Sequence, residues 1–283
     1  MLTVLEALKL SEEYLTKYNI DSSRLNAELL LADILNCKRL DLYLLYDKPL
    51  QESEIAKYRD YLKRRSSREP LQYIIGNVEF FGCKFFVDPS VLIPRPETEL
   101  LVECALKKYL PKDEIRILDI GVGSGNIAVT LLKNLSLSSA VGIDINDDTL
   151  SVASKNAQEN NVIERLELVK LNILKDDHKT LGNFDMVISN PPYISLNDFQ
   201  NLEPELKNYE PLLSLTDNSD GYLFYEKIIS ISSDLLNNNG RLFFELGKDQ
   251  HTKVNKMMIE KGFSSINIVK DYSDIERVIF GEK

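Results

Sequence analysis

ILDIGVGSGN, residues 117–126, decides the fold. The apolar run 115–120 reads as a buried strand, and glycines follow at Gly121, Gly123 and Gly125. Glycine lets a backbone pass close to a ligand, and an apolar helix over 127–135 starts at once. The spacing is G-x-G-x-G, whereas dinucleotide-binding turns use G-x-G-x-x-G. A glycine-rich turn alone is also what a plain loop uses.

Downstream the chain alternates. Strands are predicted at 140–145, 166–170, 184–189 and 242–246, with helices at 149–160 and 223–237. Two short strands at 266–269 and 278–280 follow. The pattern predicts an α/β fold, a parallel sheet with helices on both faces. Open sheets of this kind bind ligands at the carboxyl ends of their strands. The second strand ends at Asp144, an acid well placed for two ribose hydroxyls. Asp119-x-Gly-x-Gly-x-Gly with an acid ending the next strand resembles the Rossmann-like methyltransferases that use S-adenosylmethionine. A plain turn beside a surface Asp is the alternative.

The fourth strand runs into SNPPYI, residues 189–194. Asn190 would sit at the same sheet edge as Gly121 and Asp144, facing a donor methyl. Its side chain offers one acceptor oxygen and two donors. The Pro191 carbonyl adds a second acceptor, and the paired prolines stiffen the backbone. Two acceptors can grip both hydrogens of an NH₂ group, and Tyr193 can pack on a planar target. The motif reads as a rigid clamp for a planar amide or aromatic amine. Holding a poor nucleophile in line supplies much of the catalysis such a transfer needs.

Upstream, residues 1–70 are rich in Leu, Tyr, Lys and Glu and predict a small helical bundle. Asp21 is a fair N-cap for a helix with Leu25, Leu29, Ala32 and Leu35 on one face, and Ser53 opens another. Lys63-Arg64-Arg65 with Arg68 reads as a solvated helix C-terminus. The texture changes at Glu69-Pro70, and 71–96 reads as a β-hairpin linker ending in Pro94-Arg95-Pro96. Phe80, Phe81, Phe85 and Phe86 read as hairpin packing. Residues 97–283 form the third division.

The 283 residues carry a net charge of −10 and a pI near 4.9, which counts against a nucleic-acid partner. Three scattered cysteines and two histidines, with no C-x-x-C pair, argue against a zinc site or disulfide framework and fit a reducing cytoplasm. No apolar run approaches a membrane span. MLTVLEALKLSEEYL lacks the basic n-region and cleavage site of a signal peptide and reads as a helix.

The residues flanking the clamp narrow its target. Arg68-Glu69-Pro70-Leu71-Gln72-Tyr73-Ile74 leads to Gly76 and Glu79-Phe80-Phe81-Gly82, then to the stretch from Val91 to Glu99. Tyr209-Glu210-Pro211, Asp220-Gly221, Tyr225 and Glu245-x-Gly247-x-x-Gln250 follow. With the N-terminal helices, this resembles the HemK/PrmC family, the release factor glutamine methyltransferases, along essentially the full length. Related ribosomal-protein glutamine methyltransferases typically carry Arg-Ser-Pro where this chain has Arg95-Pro96-Glu97.

The resemblance implies a helical N-terminal domain, a hairpin linker and a seven-stranded catalytic domain; the helical domain shows no chemistry of its own and is expected to supply a docking surface for the substrate. It implies N5-methylation of the Gln in the Gly-Gly-Gln loop of class I peptide chain release factors, and so a place in translation termination. By position, Gly121, Val122, Gly123, Ser124 and Gly125 would line the methionine part of S-adenosylmethionine. Asp144 would hold the ribose, Asn172 and Ile173 would flank the adenine, and Asn190, Pro191, Pro192 and Tyr193 would hold the glutamine. Many relatives carry an acid where Asn172 stands. Glu97 and Thr98 would face the cofactor pocket or cap a helix. No metal, membrane or direct nucleic-acid contact is implied, and a monomer is expected. A nucleic-acid amino-group methyltransferase and a non-catalytic binding module remain as alternatives, since a fold alone does not prove activity.

Overall fold

The computed structural model describes residues 2–283. Two compact units divide them: residues 2–76 with 204–209, and residues 77–203 with 210–283.

The first unit is helical. Thr3 caps α1 (Val4–Lys17) through a reciprocal pair with Glu6, which satisfies two orphan amides of the first turn. Helix α2 (Ser23–Ile34) is not capped by Asp21: its N-cap is Ser22, at φ 50°, with no side-chain bond. Its buried apolar residues are Ala27, Leu30, Leu31 and, as expected, Ala32; Leu29 and Leu35 are half-buried and Leu25 is exposed. The expected face is therefore met only in part, because leucines occupy both sides of the helix and periodicity alone does not rank them. Helix α3 (Glu52–Ser66) starts before Ser53, with Glu54 accepting from the Gln51 amide at 2.7 Å.

Two further expectations fail in this unit. Leu71–Ile75 is a helix, α4, rather than hairpin, bracketed by Pro70 and by Gly76 at φ 81°. A left-handed glycine is a common helix terminator, which outweighs the β-branched pair at the end of the run. Arg65 is not solvated. It is 5% exposed and donates to Asn26 Oδ1 at 2.7 Å, to the Glu69 carbonyl at 3.0 Å and to Glu205 Oε1 at 2.8 Å. Glu205 lies on the short helix Pro204–Tyr209, so this piece of distant chain is pinned among the N-terminal helices by a buried guanidinium.

The second unit opens with the hairpin β1 (Asn77–Phe80) and β2 (Cys83–Phe86), joined through Phe81 and Gly82, both at positive φ. That two-residue turn matches strand twist. Phe81 tolerates it while its amide is held by Glu99 Oε1 at 2.7 Å. Then come α5 (Pro96–Leu106), β3 (Arg116–Ile120), α6 (Asn126–Asn134), β4 (Ser139–Asp144), α7 (Asp147–Glu159), β5 (Leu166–Lys170) and β6 (Phe184–Ser189). Helix α8 (Leu223–Leu235), β7 (Leu236–Glu245), α9 (His251–Glu260), β8 (Ser264–Lys270) and β9 (Glu276–Glu282) complete it.

Seven strands form one sheet in the order β5-β4-β3-β6-β7-β9-β8. The first five are parallel, but β9 runs antiparallel to both neighbours, a departure from the expected parallel sheet. Only residues 271–275 connect β8 to β9, too few for a parallel crossover. Alternating side chains feed two cores. Ile117, Met186, Ile188 and Phe243 pack with Phe80 and Phe85 of the hairpin, while Leu118, Val187, Leu242 and Phe244 pack with α8 and α9. The chain moves outward from β3 through β5 and returns to β6 on the other side of β3. Ligands of open α/β sheets lodge at this switch point. The glycine loop, Asp144 and Asn190 end the three strands around it.

Candidate active site

The loop after β3 holds Gly121, Gly123 and Gly125 at φ of 76°, 53° and 81°, a region costly for residues with a Cβ. Amides of Gly121 and Val122 donate to the Ile143 carbonyl, laying the loop across the end of β4. A Cβ built at Gly121 meets open space, so a ligand can approach the backbone there. Asp144 is tied from below, with Oδ2 accepting from the Gly123 amide at 3.3 Å and Oδ1 from the Asn146 amide at 3.2 Å. Burial pushes its carboxyl above the usual range. Asp119 is wholly buried; the Ala128 amide donates to Oδ2 at 3.1 Å and Oδ1 has no partner. Burial pushes it up to about 7.

A cavity of about 470 Å³ opens at this edge. Gly121, Gly123, Asp144, Asn172, Ile173, Asn190, Pro191 and Pro192 line it. Val122, Ser124, Gly125 and Tyr193, also expected at the site, do not. Val122 turns its side chain into the sheet against Gly142, and Ser124 bonds Asn126 at 3.1 Å. Gly125 packs against Ala153. Asn172 Oδ1 accepts from the Leu174 amide at 3.0 Å, so it serves its own loop. Strand periodicity could have flagged Ile145, an apolar wall residue after Asp144, but a lone exposed isoleucine carries no motif.

Beneath the Asn190-Pro191-Pro192-Tyr193 run lies a polar base. Ser189 Oγ donates to the Ile120 carbonyl at 2.7 Å, locking β6 to β3 where both enter the site. The Tyr193 ring, expected against a target group, is instead anchored: its hydroxyl donates to Glu245 Oε1 at 3.3 Å and its carbonyl accepts from Gln250 Nε2 at 2.9 Å. Thr98 Oγ1 donates to Glu245 Oε2 at 2.6 Å, and Asn190 Nδ2 donates to Thr98 Oγ1 at 3.2 Å. Burial pushes Glu245 up to about 7, opposed by the Thr98 hydrogen bond, the Arg277 charge and the Tyr193 hydroxyl. Neither Glu97 nor Thr98 lines the cavity or caps α5, whose N-cap is Arg95. Gln250 Oε1 accepts from the Gly247 amide at 3.0 Å, and Nε2 reaches the Gly221 carbonyl at 3.3 Å. Arg95 pairs with the buried Glu210, which also accepts from the Ile93 amide at 3.4 Å. Segments far apart in sequence thus meet as one scaffold.

Residues 6–76 match the family model described as PrmC N-terminal domain, and residues 96–202 match the one described as Methyltransferase small domain. A release factor glutamine methyltransferase of Fusobacterium nucleatum is 38% identical over 99% of this chain and 78% of its own. One of Geobacter sulfurreducens is 39% identical over 99% of this chain and 96% of its own. The chain belongs to the release factor glutamine methyltransferase family. Among solved structures, a methyltransferase from Pyrococcus furiosus superposes with a TM-score of 0.53 at 18% identity, covering 82% of this chain and 99% of that one, which shows the shared Rossmann-like fold.

The scaffold of this methyltransferase predicts a strong packing effect at Gly221. Its φ is 86°, and an added Cβ would lie 2.5 Å from the Tyr193 carbonyl oxygen and 3.0 Å from Gln250 Nε2. Gly221→Ala combines left-handed strain with a backbone clash at the clamp, together about 2–4 kcal/mol. Thermal denaturation should show a drop of several degrees in Tm. An unchanged Tm would mean that the clamp's floor yields freely.

Proposed function

We propose that this enzyme transfers the methyl group of S-adenosylmethionine to the side-chain amide nitrogen, N5, of the glutamine in the Gly-Gly-Gln loop of class I release factors. The observation that carries the reading is convergence: the glycine loop, Asp144 and Asn190-Pro191 line one cavity at the sheet's switch point. Its volume of about 470 Å³ suits a cofactor-sized ligand. The open backbone at Gly121 and the half-buried carboxylate of Asp144 fit the methionine and ribose parts, and Ile173 with Asn172 flanks the adenine. When bound, S-adenosylmethionine supplies a methyl group on a positively charged sulfur.

Asn190 Oδ1 and the Pro191 carbonyl accept the two N–H bonds of the glutamine amide and aim its nitrogen. Those bonds strengthen as the nitrogen gains charge. Its proton becomes acidic only as the new N–C bond forms, so it departs to water without a strong base. Pro192 and the anchored Tyr193 hold the backbone of the clamp still.

The clamp covers one planar group, far less than a stable protein interface. Ordering a flexible loop also opposes capture. The N-terminal helical unit supplies the second contact with the release factor, through exposed apolar side chains such as Leu40 and Leu44. The test offers tritium-labelled S-adenosylmethionine with an intact release factor, a Gly-Gly-Gln peptide, a ribosomal protein extract and DNA. Label is expected at glutamine N5 of the release factor, with a far lower kcat/KM for the peptide. Label in DNA or ribosomal protein alone would overturn the assignment, and equal kcat/KM for peptide and whole protein would remove the docking role.

A further inference from the structure

An asparagine side chain has nearly the same shape when its amide is flipped, but its hydrogen-bonding sense reverses. Flipped at position 190, it would present N–H groups to an acceptor that also carries N–H groups, and the grip would be lost. We propose that Thr98 and Glu245 are positioning residues that fix the Asn190 amide, with Nδ2 held toward Thr98 and Oδ1 turned to the methyl acceptor. This rests on the reading of Asn190 as the group that grips the acceptor.

The argument is a count of protons. Thr98 Oγ1 has one hydrogen and two near neighbours, Glu245 Oε2 at 2.6 Å and the Asn190 amide at 3.2 Å. Above its titration near 7 the Glu245 carboxylate is ionised and only accepts, so there the hydroxyl proton is committed to Glu245. Thr98 then has only lone pairs to offer, and Asn190 must donate. Glu245 is 2% exposed, so little water can offer an alternative arrangement. Its other oxygen takes the Tyr193 hydroxyl at 3.3 Å, and Arg277 contributes opposite charge. The three residues come from the first turn of α5, the end of β6 and the end of β7.

The competing account is that the Thr98–Glu245 bond merely ties α5 to β7. Thr98→Val keeps the shape and removes the hydroxyl; Thr98→Ser keeps the hydroxyl. Both are assayed at full length, at a pH well above 7 where Glu245 is ionised, on whichever of release factor, ribosomal protein or DNA the wild-type chain labels. Failure of the release-factor assignment therefore registers separately from failure of this inference. Thr98→Val is expected to lower kcat about tenfold, the scale of one hydrogen bond at a charged partner. The KM for S-adenosylmethionine should stay within about twofold, since the lost contact faces the acceptor. Thr98→Ser should recover most of kcat. Glu245→Gln is the second variant: a neutral amide can donate to Thr98, freeing its proton for Asn190 Oδ1, and the same kcat loss is expected. A kcat unchanged in Thr98→Val and Glu245→Gln, or a loss that Thr98→Ser fails to recover, would overturn the inference.

Discussion

Asn190→Ala is expected to lower kcat by about 10²–10³-fold, the usual cost of removing one preorganised hydrogen-bonding group from a site of developing charge. Asn190 stands at the end of β6 on the cavity wall, its Nδ2 already engaged by Thr98. Truncation leaves the Pro191 carbonyl as the sole fixed acceptor of the clamp, and the target nitrogen can then swing out of line. The backbone should survive, because Ser189 and the two prolines hold the chain on either side. Calorimetry with S-adenosylhomocysteine separates the two halves of the site: affinity should remain within a few-fold. A collapse of cofactor affinity together with activity would show that Asn190 acts chiefly on the donor.

Asp144→Ala should show the opposite split. Two backbone amides fix its carboxylate at the cavity wall, and in the proposed reading it accepts from ribose hydroxyls. Loss of a charge-assisted hydrogen bond costs about 1.5–3 kcal/mol, so the cofactor KM should rise roughly ten- to hundredfold. The saturated rate should change less, because the clamp is untouched. The same substitution releases the Gly123 amide, so the glycine loop should loosen as well. An unchanged KM would remove Asp144 from the cofactor site.

The parts of the site written as short runs were legible before the structure. The glycine turn, Asp144 and SNPPYI each lie at the end of one strand, and strand alternation alone predicts that such ends share an edge. Side-chain direction was less legible. Val122 and Tyr193 sit inside their motifs yet turn away from the cavity, one into the sheet and one onto Glu245. Pairings between distant elements were not legible at all. Nothing local to Thr98, Glu210 or Gln250 says that it meets Asn190, Arg95 or Tyr193, since those contacts arise only when the sheet assembles. Arg65 misled for a related reason: a cation at a helix end normally stays in water, and its carboxylate partner lies well over a hundred positions away.

That partner has a consequence for the order in which the protein is made. Residues 2–76 are made before Pro204–Tyr209, which follows β6, so this helical unit emerges incomplete. The Asn26 and Glu69 partners of Arg65 are made early, but its Glu205 partner comes only later. Domains usually fold as units, N-terminal first, during synthesis. Here the helical unit gains this last contact only after β6 has been made, so its completion waits on chain that lies beyond four strands of the sheet.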